Sequence, residues 1–464
     1  MARGKKKETL TPEERLQATL VPESEQPYPV PGNWCWVKVG TISKVKGGKR
    51  LPKGRTFLEE KSDYPYIRVT DFDNESICIE NVKYIDSDTH MMIKNYTISS
   101  ADIYISIAGT IGKVGIIPEE LEGANLTENA AKITDINGTY QLYLMLFLKS
   151  EVAQNQMKDS TISTTQPKLA LFRIEDILLP LPPLSEQQRI VNRIESLFAK
   201  LDEAKQKAQD ALGSFETRKA AILHKAFTGE LTAQWRKEHG VGMETWSSSC
   251  KLIDILVEKP RNGYSPKPVD YVTACKSMTL SATTTGVFKP EFFKYIDEEI
   301  PENSHLWLTP GDILIQRANS LEKVGMSAIY TGAEHEFIYP DLMMKLTVKE
   351  PNNKHYIDYY LKTDEILNYF RSNATGTAGN MPKINQKVVS ETPLILPETQ
   401  EQAEIVRLLD DLLAREQQAK EAAEGVLEQI DLIKKAILAR AFRGELGTND
   451  PSEESAVELL KVIV

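Results

Sequence analysis

The feature that most constrains this chain is an internal repeat, because residues 186–231 return at 401–446 with a constant offset of 215 positions and no gap. The identities are clearest at the two ends of the block, where pairs and triplets return intact: Glu186-Gln187 as Glu401-Gln402, and Gly229-Glu230-Leu231 as Gly444-Glu445-Leu446. Self-similarity at a fixed offset is typical of a repeated structural unit. The chain therefore holds two copies of one unit, and a different segment precedes each copy of the block.

Each copy of the block is predicted to form a long helix. Apolar or small residues recur at alternating steps of four and three, which is the heptad pattern of a coiled-coil seam. The seam residues are Ile190, Ile194, Leu197, Leu201 and Phe215 in the first copy, and Ile405, Leu409, Leu412, Val426 and Ile430 in the second. We expect N-caps at Ser185 and Thr399, and helix ends near Gly229 and Gly444. About 40 residues of helix would measure roughly 60 Å.

Chain connectivity predicts the direction of the two helices. The first helix delivers the chain to a middle segment, 247–396, and the second helix leaves from it. If that segment begins and ends near one place, the second helix must run back along the first. The helices would then form an antiparallel coiled coil with a globular domain at each end, in a pseudo-twofold, circular arrangement. The alternative is that each seam packs on its own globular domain.

The segments before the helices share a frame, while most of their side chains differ. Short echoes survive between them: Ala101-Asp102-Ile103 with Gly311-Asp312-Ile313, and Pro167-Lys168-Leu169 with Pro382-Lys383-Ile384. Short β-rich stretches bounded by turn residues predict two α+β globules. The predicted strands are Tyr66–Val69, Ile103–Ile107, Val114–Ile116, Ile313–Gln316, Ser327–Tyr330 and Met343–Val348, with helices expected at 140–157 and 354–372. The whole division is a tail at 1–26, a domain at 27–180, a helix at 184–231, a linker at 232–246, a domain at 247–396, a helix at 399–446 and a tail at 447–464.

Composition bounds the class of protein. The four cysteines are scattered without a CxxC pair, which argues against a disulfide framework or a zinc site. The N-terminus lacks the apolar segment of a secretory signal, and no apolar run is long enough to span a bilayer, so we expect a cytoplasmic protein with no membrane partner. The formal net charge of −10 argues mildly against nucleic acid as a ligand. Binding depends, however, on where the basic residues cluster.

Basic residues do cluster on predicted loops. The stretch from Lys38 to Arg55 holds seven basic residues, four glycines and no acidic residue. Such a loop suits a phosphate backbone, although a solvated surface loop is a serious rival interpretation. Arginine, asparagine and threonine on neighbouring loops are side chains that read base edges or serve as turn residues. The candidate DNA-binding residues are Lys44, Lys46, Lys49, Arg50, Lys53, Arg55, Arg68, Thr70, Thr164, Gln166 and Lys168 in the first segment, and Arg317, Asn319, Ser320, Lys323, Asn380, Lys383, Asn385 and Lys387 in the second.

Catalytic signatures are missing from the sequence. It holds no GxxxxGK[ST] phosphate loop, no GxGxxG, no HExxH and no Asn-Pro-Pro-aromatic motif, and its six histidines have no metal-ligand spacing. We therefore predict no catalytic residue and no metal site, which is the profile of a binding subunit.

The repeated block also carries a family resemblance. The run Pro180-Leu-Pro-Pro-Leu-Ser-Glu-Gln-Gln-Arg-Ile-Val191, continuing to Ala226-Phe-Thr-Gly-Glu-Leu231, is similar to the first conserved region of the specificity subunit of type I restriction–modification enzymes. The stretch from Pro397 to Leu446 resembles the second conserved region, although it lacks the Pro-Pro-Leu-Ser lead-in. The whole chain thus resembles that subunit.

The resemblance implies a function. Each recognition domain would read one half of a bipartite double-stranded DNA target, and the helices would fix the spacer and dock two methyltransferase (modification) subunits. Motor/nuclease (restriction) subunits would complete the complex. This chain would bind no cofactor, since S-adenosylmethionine, ATP and magnesium would be used by the partner subunits. Two alternatives stay open: a standalone DNA methyltransferase or nuclease with a cryptic site, and a coiled-coil scaffold that never touches DNA.

Overall fold

The computed structural model describes residues 11–159, 167–376 and 381–463. Its contacts divide the chain into two compact units. Unit 1 comprises the described residues up to Ala208 together with those from Gly425 onward, and unit 2 is Gln209–Glu424. Because both boundaries fall inside the repeated block, each unit contains part of both long helices.

The strands belong to two heads, which precede the two long helices. Head 1, in unit 1, contains β1 Cys35–Lys38, β2 Lys44–Gly47, β3 Pro65–Ile67, β4 Phe72–Asp73, β5 Ser76–Ile77, β6 Lys83–Tyr84, β7 Thr97–Ile98, β8 Ile103–Ser106, β9 Val114–Gly115, β10 Ala124–Leu126, β11 Ala130–Thr134 and β12 Leu178–Leu181. Head 2, in unit 2, contains β13 Ser247–Lys251, β14 Arg261–Asn262, β15 Pro268–Val269, β16 Cys275–Met278, β17 Phe293–Ile296, β18 Ile313–Gln316, β19 Ser327–Ile329, β20 Phe337–Ile338, β21 Met343–Leu346 and β22 Pro393–Leu396.

Helices accompany the strands in both units. They are α1 Pro12–Thr19, α2 Val39–Ile42, α3 Ser87–Ile93, α4 Gln141–Lys149, α5 Glu151–Asp159, α6 Leu171–Glu175, α7 Leu184–Gly213, α8 Phe215–Phe227, α9 Ala233–His239, α10 Lys354–Leu361, α11 Asp364–Ser372, α12 Gln386–Ser390, α13 Thr399–Ala441 and α14 Ala456–Ile463. Short 3-10 turns occur at Glu23–Glu25, Val69–Asp71, Ile79–Asn81, Glu119–Leu121, Met243–Thr245, Leu252–Ile255 and Leu280–Ala282.

The two heads share the strand order of one sheet and differ in the other. The shared sheet runs β2-β11-β8-β9 in head 1 and β14-β21-β18-β19 in head 2. The other sheet runs β6-β3-β10-β7 in head 1 and β15-β17-β16-β20 in head 2. It contains one parallel pair in each head, β3 with β10 in the middle of the sheet and β16 with β20 at its edge. The heads are therefore two versions of one α+β frame, as the sequence predicts.

Each head closes on itself by pairing its first and last strands. Antiparallel β1 and β12 align Cys35 with Leu181, and antiparallel β13 and β22 align Ser247 with Leu396. The chain therefore leaves each head where it entered. This confirms the condition from which the antiparallel course of the helices was predicted.

The predicted strands are confirmed, with ends that differ by one or two residues. Ile313–Gln316 matches β18 over its full length. The two predicted helical stretches, 140–157 and 354–372, are each divided into two helices, by Ser150 and by Lys362-Thr363. Ser150 and Thr363 are extended and stand just before the second helix, where such residues are favoured as N-caps.

The first copy of the repeated block forms two helices, α7 and α8, rather than one. The interruption is at Ser214, whose Oγ donates to the carbonyl oxygens of Asp210 (2.9 Å) and Ala211 (3.2 Å). Gly213, just before it, has low helix propensity, and a serine hydroxyl competes for helical carbonyls. The second copy, α13, continues without a break.

The N-caps predicted from the sequence for the two long helices are wrong. Helices α7 and α13 begin at Leu184 and Thr399, so Ser185 and Thr399 lie within the first helical turn and are not N-caps. The carbonyls that accept the first bonds belong to Pro183 and Glu398, which bond the N–H groups of Gln187 (3.0 Å) and Gln402 (2.9 Å). The expected helix ends are confirmed, because Gly229 (φ +80°) and Gly444 (φ +75°) adopt left-handed backbone two and three residues after the last helical residue.

Within each unit the two long helices are antiparallel. In unit 2, the Lys420 Nζ lies 4.9 Å from the centroid of the Phe215 ring, and the later Arg218 pairs with the earlier Glu416 at 2.8 Å. In unit 1, Asp202 pairs with Lys434 at 2.6 Å. As the residue number rises along the first helix, the number of its partner on the second helix falls. This confirms the predicted antiparallel direction.

The structure follows the predicted seam at every position except Val426. Buried seam residues are Ile190, Ile194, Ile405, Leu409 and Ile430, and half-buried ones are Leu197, Leu201, Phe215 and Leu412. Val426 is 39% exposed, and its neighbour Leu427 is the half-buried residue at that level. The departure is local, because Ile430, the next seam position, is buried again.

The segments that follow the long helices are folded parts of the units. The tail predicted at 447–464 includes α14, whose Ala456 and Leu460 are buried in the same core as Ile190. Arg189 of α7 binds the Glu453 carboxylate through both guanidinium nitrogens, at 2.7 and 2.8 Å. The linker predicted at 232–246 likewise includes α9, which carries the buried Arg236.

Truncating the buried Leu460 to alanine tests whether α14 belongs to the core of unit 1. We expect Leu460→Ala to lower the free energy of unfolding by about 2–4 kcal/mol, because the side chain is fully buried and leaves a cavity. The matched control is Val462→Ala on the same helix, where 87% exposure predicts a change within about 0.5 kcal/mol. Urea denaturation followed by tryptophan fluorescence measures both. Equal stabilities of the two variants would contradict the packing of α14.

Candidate nucleic-acid interface

A buried glutamate fixes the start of α7 to unit 1. Glu186 is fully buried, and its Oε2 accepts hydrogen bonds from Trp34 Nε1 and Asn449 Nδ2, both at 2.8 Å. Thr448 Oγ1 donates to Oε1 at 3.4 Å. The carboxylate thus joins head 1, the first turn of α7 and the segment that follows α13.

The neighbouring glutamine completes this anchor. Gln187 Oε1 accepts from Tyr140 N at 2.7 Å and from Thr139 Oγ1 at 2.9 Å, and its Nε2 donates to Pro182 O at 3.0 Å. A buried amide that uses both its oxygen and its nitrogen in this way has one defined orientation. The helix axis is therefore fixed relative to head 1.

Unit 2 repeats the anchor with one changed partner. Glu401 accepts from Trp246 Nε1 at 2.8 Å and from Thr232 Oγ1 at 2.7 Å, and it forms an ion pair with Arg236 at 2.6 Å. Gln402 accepts from Asn353 N at 2.9 Å and donates to Pro397 O at 2.9 Å. Each glutamate thus meets a tryptophan of its own head and residues that follow the other long helix.

The sequence identified the repeated Glu-Gln pair but not its role. The sequence did contain a sign of that role, because the same polar pair begins both helices at positions where apolar seam residues are expected. Its tryptophan partners could not be assigned, because the bonded residues lie 152 positions apart in unit 1 and 155 in unit 2.

The aspartate that recurs in both segments forms an equivalent ion pair in each head. Asp102 pairs with Lys132 at 2.9 Å in head 1, and Asp312 pairs with Lys345 at 3.6 Å in head 2. Both aspartates are buried, and each also accepts from a backbone N–H three residues earlier, at 3.0 Å from Ser99 and 2.9 Å from Thr309. These ion pairs support the frame of the sheets and are not exposed to a ligand.

The same short pairing joins two candidate binding segments in each head. We call it the loop bridge: Ala108 pairs with Lys168 in head 1, and Ala318 pairs with Lys383 in head 2. Backbone bonds extend it, from Leu169 N to Ile107 O at 2.9 Å and from Ile384 N to Arg317 O at 2.8 Å. The loop after β8 or β18 is thereby held against the segment that precedes α6 or α12.

The loop bridge of head 2 brings most of its candidate residues together. Arg317, Asn319, Ser320 and Lys323 lie on one side of it, and Lys383, Asn385 and Lys387 on the other. Ser320, Lys323, Lys383 and Lys387 are exposed. The remaining three have structural bonds: Arg317 Nη1 to Asp341 O at 3.4 Å, Asn319 Nδ2 to Gln316 Oε1 at 2.5 Å, and Val388 N to Asn385 Oδ1 at 3.0 Å.

In head 1 two candidate lysines lie on an outer strand of the sheet. Lys44 and Lys46 are exposed on β2 and face Asp135 at 3.2 and 3.7 Å. The hydrogen bond from Lys44 and the charge of Lys46 lower the pKa of Asp135 below its usual value. Two lysines share one carboxylate here, so the group keeps a net positive charge.

The glycine-rich loop after β2 presents the other basic candidates. Gly48 lies so close to the next strand that a Cβ there would come within 2.1 Å of Thr127 O, which explains the glycine. Lys49 and Lys53 are exposed, and Arg50 is exposed although its Nε lies 2.5 Å from Glu128. Arg55 is half-buried and contacts Asp86 at 3.5 Å. The loop is therefore a fixed basic surface.

Arg68 and Thr70 are occupied by a local network. The guanidinium of Arg68 binds the fully buried Asp71 through Nη2 (2.7 Å) and Nε (3.2 Å), and Nη2 also donates to Asn81 O at 2.8 Å. Thr70 Oγ1 donates to Asp71 at 3.3 Å. As arranged, this arginine neutralises a buried carboxylate, and base reading by it stays a prediction from the sequence.

Three candidates, Thr164, Gln166 and Asn380, lie outside the described residues. Lys168 is exposed at the loop bridge of head 1. In the part of the chain that the structure describes, no group of three or more His, Cys, Asp or Glu side chains could hold a metal ion. Across residues 11–159, 167–376 and 381–463, no helix is both long and apolar enough to cross a membrane.

Comparison with known proteins identifies the family. The family model described as "Type I restriction modification DNA specificity domain" matches residues 31–211 and 272–425, which is more than half of the 464 residues. The chain belongs to this family. The resemblance noted in the repeated block is thereby confirmed. The first matched segment contains head 1 and most of α7, and the second contains head 2 from β16 onward and the first part of α13.

Curated relatives of this specificity subunit match over most of its length. The specificity subunit of the type I restriction enzyme EcoKI from Escherichia coli (strain K12) is 24% identical over 425 residues, which is 90% of each chain. The MjaVIII specificity subunit from Methanocaldococcus jannaschii is 24% identical over 439 residues, 90% of this chain and 94% of that protein. The EcoBI specificity subunit from Escherichia coli is 30% identical over 205 residues, 44% of this chain and 43% of that protein.

Solved structures share the fold of this specificity subunit. The HsdS subunit from Thermoanaerobacter tengcongensis matches with a TM-score of 0.61 and 19% identity, over 91% of this chain and 100% of that chain. A chain from a structure on complex assembly and conformational transition of the type I R-M system matches with a TM-score of 0.66 and 20% identity, over 90% and 100%. The two α+β heads and the two long helices are therefore the architecture of the family.

Because the two anchors of this specificity subunit have different partners, replacing the glutamate by glutamine is expected to lower the free energy of unfolding by different amounts. In Glu186→Gln the amide oxygen still accepts from Trp34 and Asn449, and its NH2 faces a hydroxyl that can accept, so we expect a loss of about 1–2 kcal/mol. In Glu401→Gln, Arg236 stays buried without an anion, and we expect about 3–5 kcal/mol. Urea denaturation of both variants measures the difference. A larger loss for Glu186→Gln would contradict the assigned hydrogen bonds.

Proposed function

We propose that this chain is the sequence-reading part of a restriction–modification complex, in which each head reads one half of a bipartite double-stranded DNA target. One observation carries the proposal: the two heads keep the strand order of one sheet and the same loop bridge, while the side chains around the bridge differ. After the bridging alanine, the loop continues with Asn319-Ser320 in head 2 and with Gly109-Thr110 in head 1. A common frame with different surface groups suits two readers of different sequences.

The distribution of charge supports DNA as the ligand. The net charge of −10 belongs to the whole chain, but the exposed Lys44, Lys46, Lys49 and Lys53 of head 1 lie together on β2 and on the loop after it. Neutralising phosphates with such residues supplies sequence-independent affinity and fixes the register of the protein on the duplex. Acidic side chains elsewhere are compatible with docking of protein subunits.

The helix anchors support a role in setting the distance between the half-sites. A spacer can be fixed only if each head is rigidly joined to the helix that leaves it. The buried Glu186-Gln187 and Glu401-Gln402 pairs provide such joints, because every carboxylate and amide group is bonded to its own unit. We propose that the helices set the spacer and dock two modification (methyltransferase) subunits, to which restriction (motor/nuclease) subunits add in the full complex.

The chemistry is assigned to the partners. A methyltransferase must extract its target base from the duplex, and a specificity subunit needs only to position the DNA. In this proposal the modification subunits use S-adenosylmethionine, the restriction subunits use ATP and magnesium, and the present chain is non-catalytic and acts in the cytoplasm.

The two alternatives make different predictions. A standalone methyltransferase or nuclease would turn over DNA when the purified chain is given magnesium and S-adenosylmethionine. A scaffold that never touches DNA would leave the DNA affinity of the partnered complex independent of the basic loop. Family membership favours neither alternative.

Mapping of methylated adenines tests both the half-sites and the spacer. The chain with its modification partner should methylate a two-part sequence separated by a spacer of constant length. Seven residues inserted into both helices, after Ala208 and after Glu424, lengthen each by about 10 Å and preserve the contacts within each unit. We expect a longer preferred spacer with unchanged half-sites.

The matched control inserts seven residues after Glu299, in an exposed stretch of head 2 that lies outside the helices and away from both anchors. It should leave both the spacer and the half-sites unchanged. A complex with lengthened helices that keeps the original spacer would contradict the role of the helices in setting it, and the absence of any methylated two-part sequence would contradict the proposed function.

Replacing the exposed cations of the glycine-rich loop tests DNA contact by head 1. We expect the triple variant Lys49→Ala, Arg50→Ala, Lys53→Ala to bind DNA more weakly and with a smaller dependence on salt, by about 0.9 in the logarithmic slope for each lost phosphate contact. Binding is measured by fluorescence anisotropy of the partnered complex at several salt concentrations. Lys461→Ala, on α14, is the control and should leave the slope unchanged. An unchanged slope in the triple variant would contradict contact between this loop and the phosphates.

A further inference from the structure

One helix of head 1 exposes two adjacent methionines. Met91 and Met92 on α3 are 58% and 61% exposed. Methionine is an apolar side chain that usually fills gaps in cores or covers binding surfaces. Two of them side by side on an outer face therefore require an explanation that the fold of head 1 does not provide.

The opposite face of α3 is firmly held. Asp86 caps the helix by accepting from Thr89 N and Thr89 Oγ1, both at 2.8 Å. Ile93 is buried beside Tyr66, and His90 Nδ1 lies 2.8 Å from Asn125 Oδ1. Because these contacts fix the rotation of the helix, the methionines are directed outward in a defined way.

The basic loop of head 1 runs alongside the same helix. Arg55 contacts Asp86 at the start of α3 (3.5 Å), and the Lys49 ammonium lies 5.5 Å from the ring of Tyr96, just beyond its end. Leu51 and Phe57 of the loop pack in the same small cluster as Ile93. Helix and loop thus form one surface element, which we call the α3 element (residues 49–57 and 86–96).

The charges of the α3 element indicate a polyanion as the occupant. Lys49, Arg50 and Lys53 are exposed along the loop, and Lys94 is exposed after the helix. One acid of the element, Asp88, is exposed one turn before the methionines on the same helix, and a carboxylate there can accept a hydrogen bond from the amino group of a cytosine. Apolar side chains flanked by cations match a DNA groove, where bases are bordered by phosphates.

We propose that α3 enters the major groove of DNA and that Met91 and Met92 recognise the 5-methyl group of thymine, while the adjoining loop contacts the phosphates. The major groove, roughly 12 Å wide, admits an α-helix, and it is the groove that displays the thymine methyl group. This inference rests on the proposed function, and it names a chemical feature of the base that one head reads.

Head 2 provides an internal comparison. The segment between β17 and β18, residues 297–312, is fully described and contains no helix, whereas the segment between β6 and β7 of head 1 contains α3. Methyl recognition by a helix is therefore expected in only one of the two half-sites.

Replacement of thymine by uracil, which removes only the methyl group, tests the inference. Each thymine of both half-sites is replaced singly, and the affinity of the wild-type complex is compared with that of the double variant Met91→Ala, Met92→Ala. For the wild type we expect uracil to weaken binding about 3- to 10-fold at one or more positions of one half-site, as loss of a buried methyl group implies. In the double variant we expect that penalty to disappear.

Two controls separate recognition from folding. The variant Met91→Leu, Met92→Leu keeps the apolar surface and should keep the uracil penalty. Met243→Ala removes an exposed methionine of unit 2 and should also keep it.

Three results would overturn the inference: no uracil penalty in the wild type at either half-site, a penalty that persists in the alanine variant, or an alanine variant that weakens binding to thymine and uracil DNA equally. A wild-type complex without any sequence-specific binding would instead overturn the proposed function. The two failures are therefore distinguishable.

Discussion

The buried glutamate at the start of each long helix is the contact on which the rest of this structure depends. Glu186 and Glu401 are carboxylates taken out of water, and each is stabilised by a tryptophan N–H of its head and by groups that follow the other long helix. A buried carboxylate with unmet hydrogen bonds is costly, so these partners must be in place together. The same group therefore fixes the head, the helix and the returning chain.

The two heads built on these anchors combine a constant interior with variable loops. Asp102–Lys132 and Asp312–Lys345 occupy equivalent places in the two sheets, and the loop bridge recurs in both. Surface loops can change without affecting that interior, because their side chains contribute little to the core. The heads can thus diverge in what they bind, while the helices and anchors that set geometry stay alike.

Much of the fold could be predicted from local patterns. Short β-rich stretches bounded by turn residues predicted strands such as Ile313–Gln316. The heptad steps predicted both long helices, and chain connectivity predicted their direction. Predictions that depended on exact side-chain environment fared less well. Ser185 and Thr399 lie inside helices instead of capping them, and Ser214 interrupts the first helix. Val426 is exposed, although Ile430, the next position of the same seam, is buried.

The sequence by itself determined that two like units exist, that each consists of an α+β head and a long helix, and that basic residues collect on particular loops. Only the tertiary structure decided which polar residues hold the fold and which are open to a ligand. Arg68 is a side chain of the type that reads bases, but it neutralises the buried Asp71. Met91 and Met92 have no polar groups that would mark them as DNA contacts in the sequence, yet they are exposed beside the basic loop. The physical reason is that burial and hydrogen bonding depend on contacts between distant residues, as with Glu186 and Asn449, 263 positions apart.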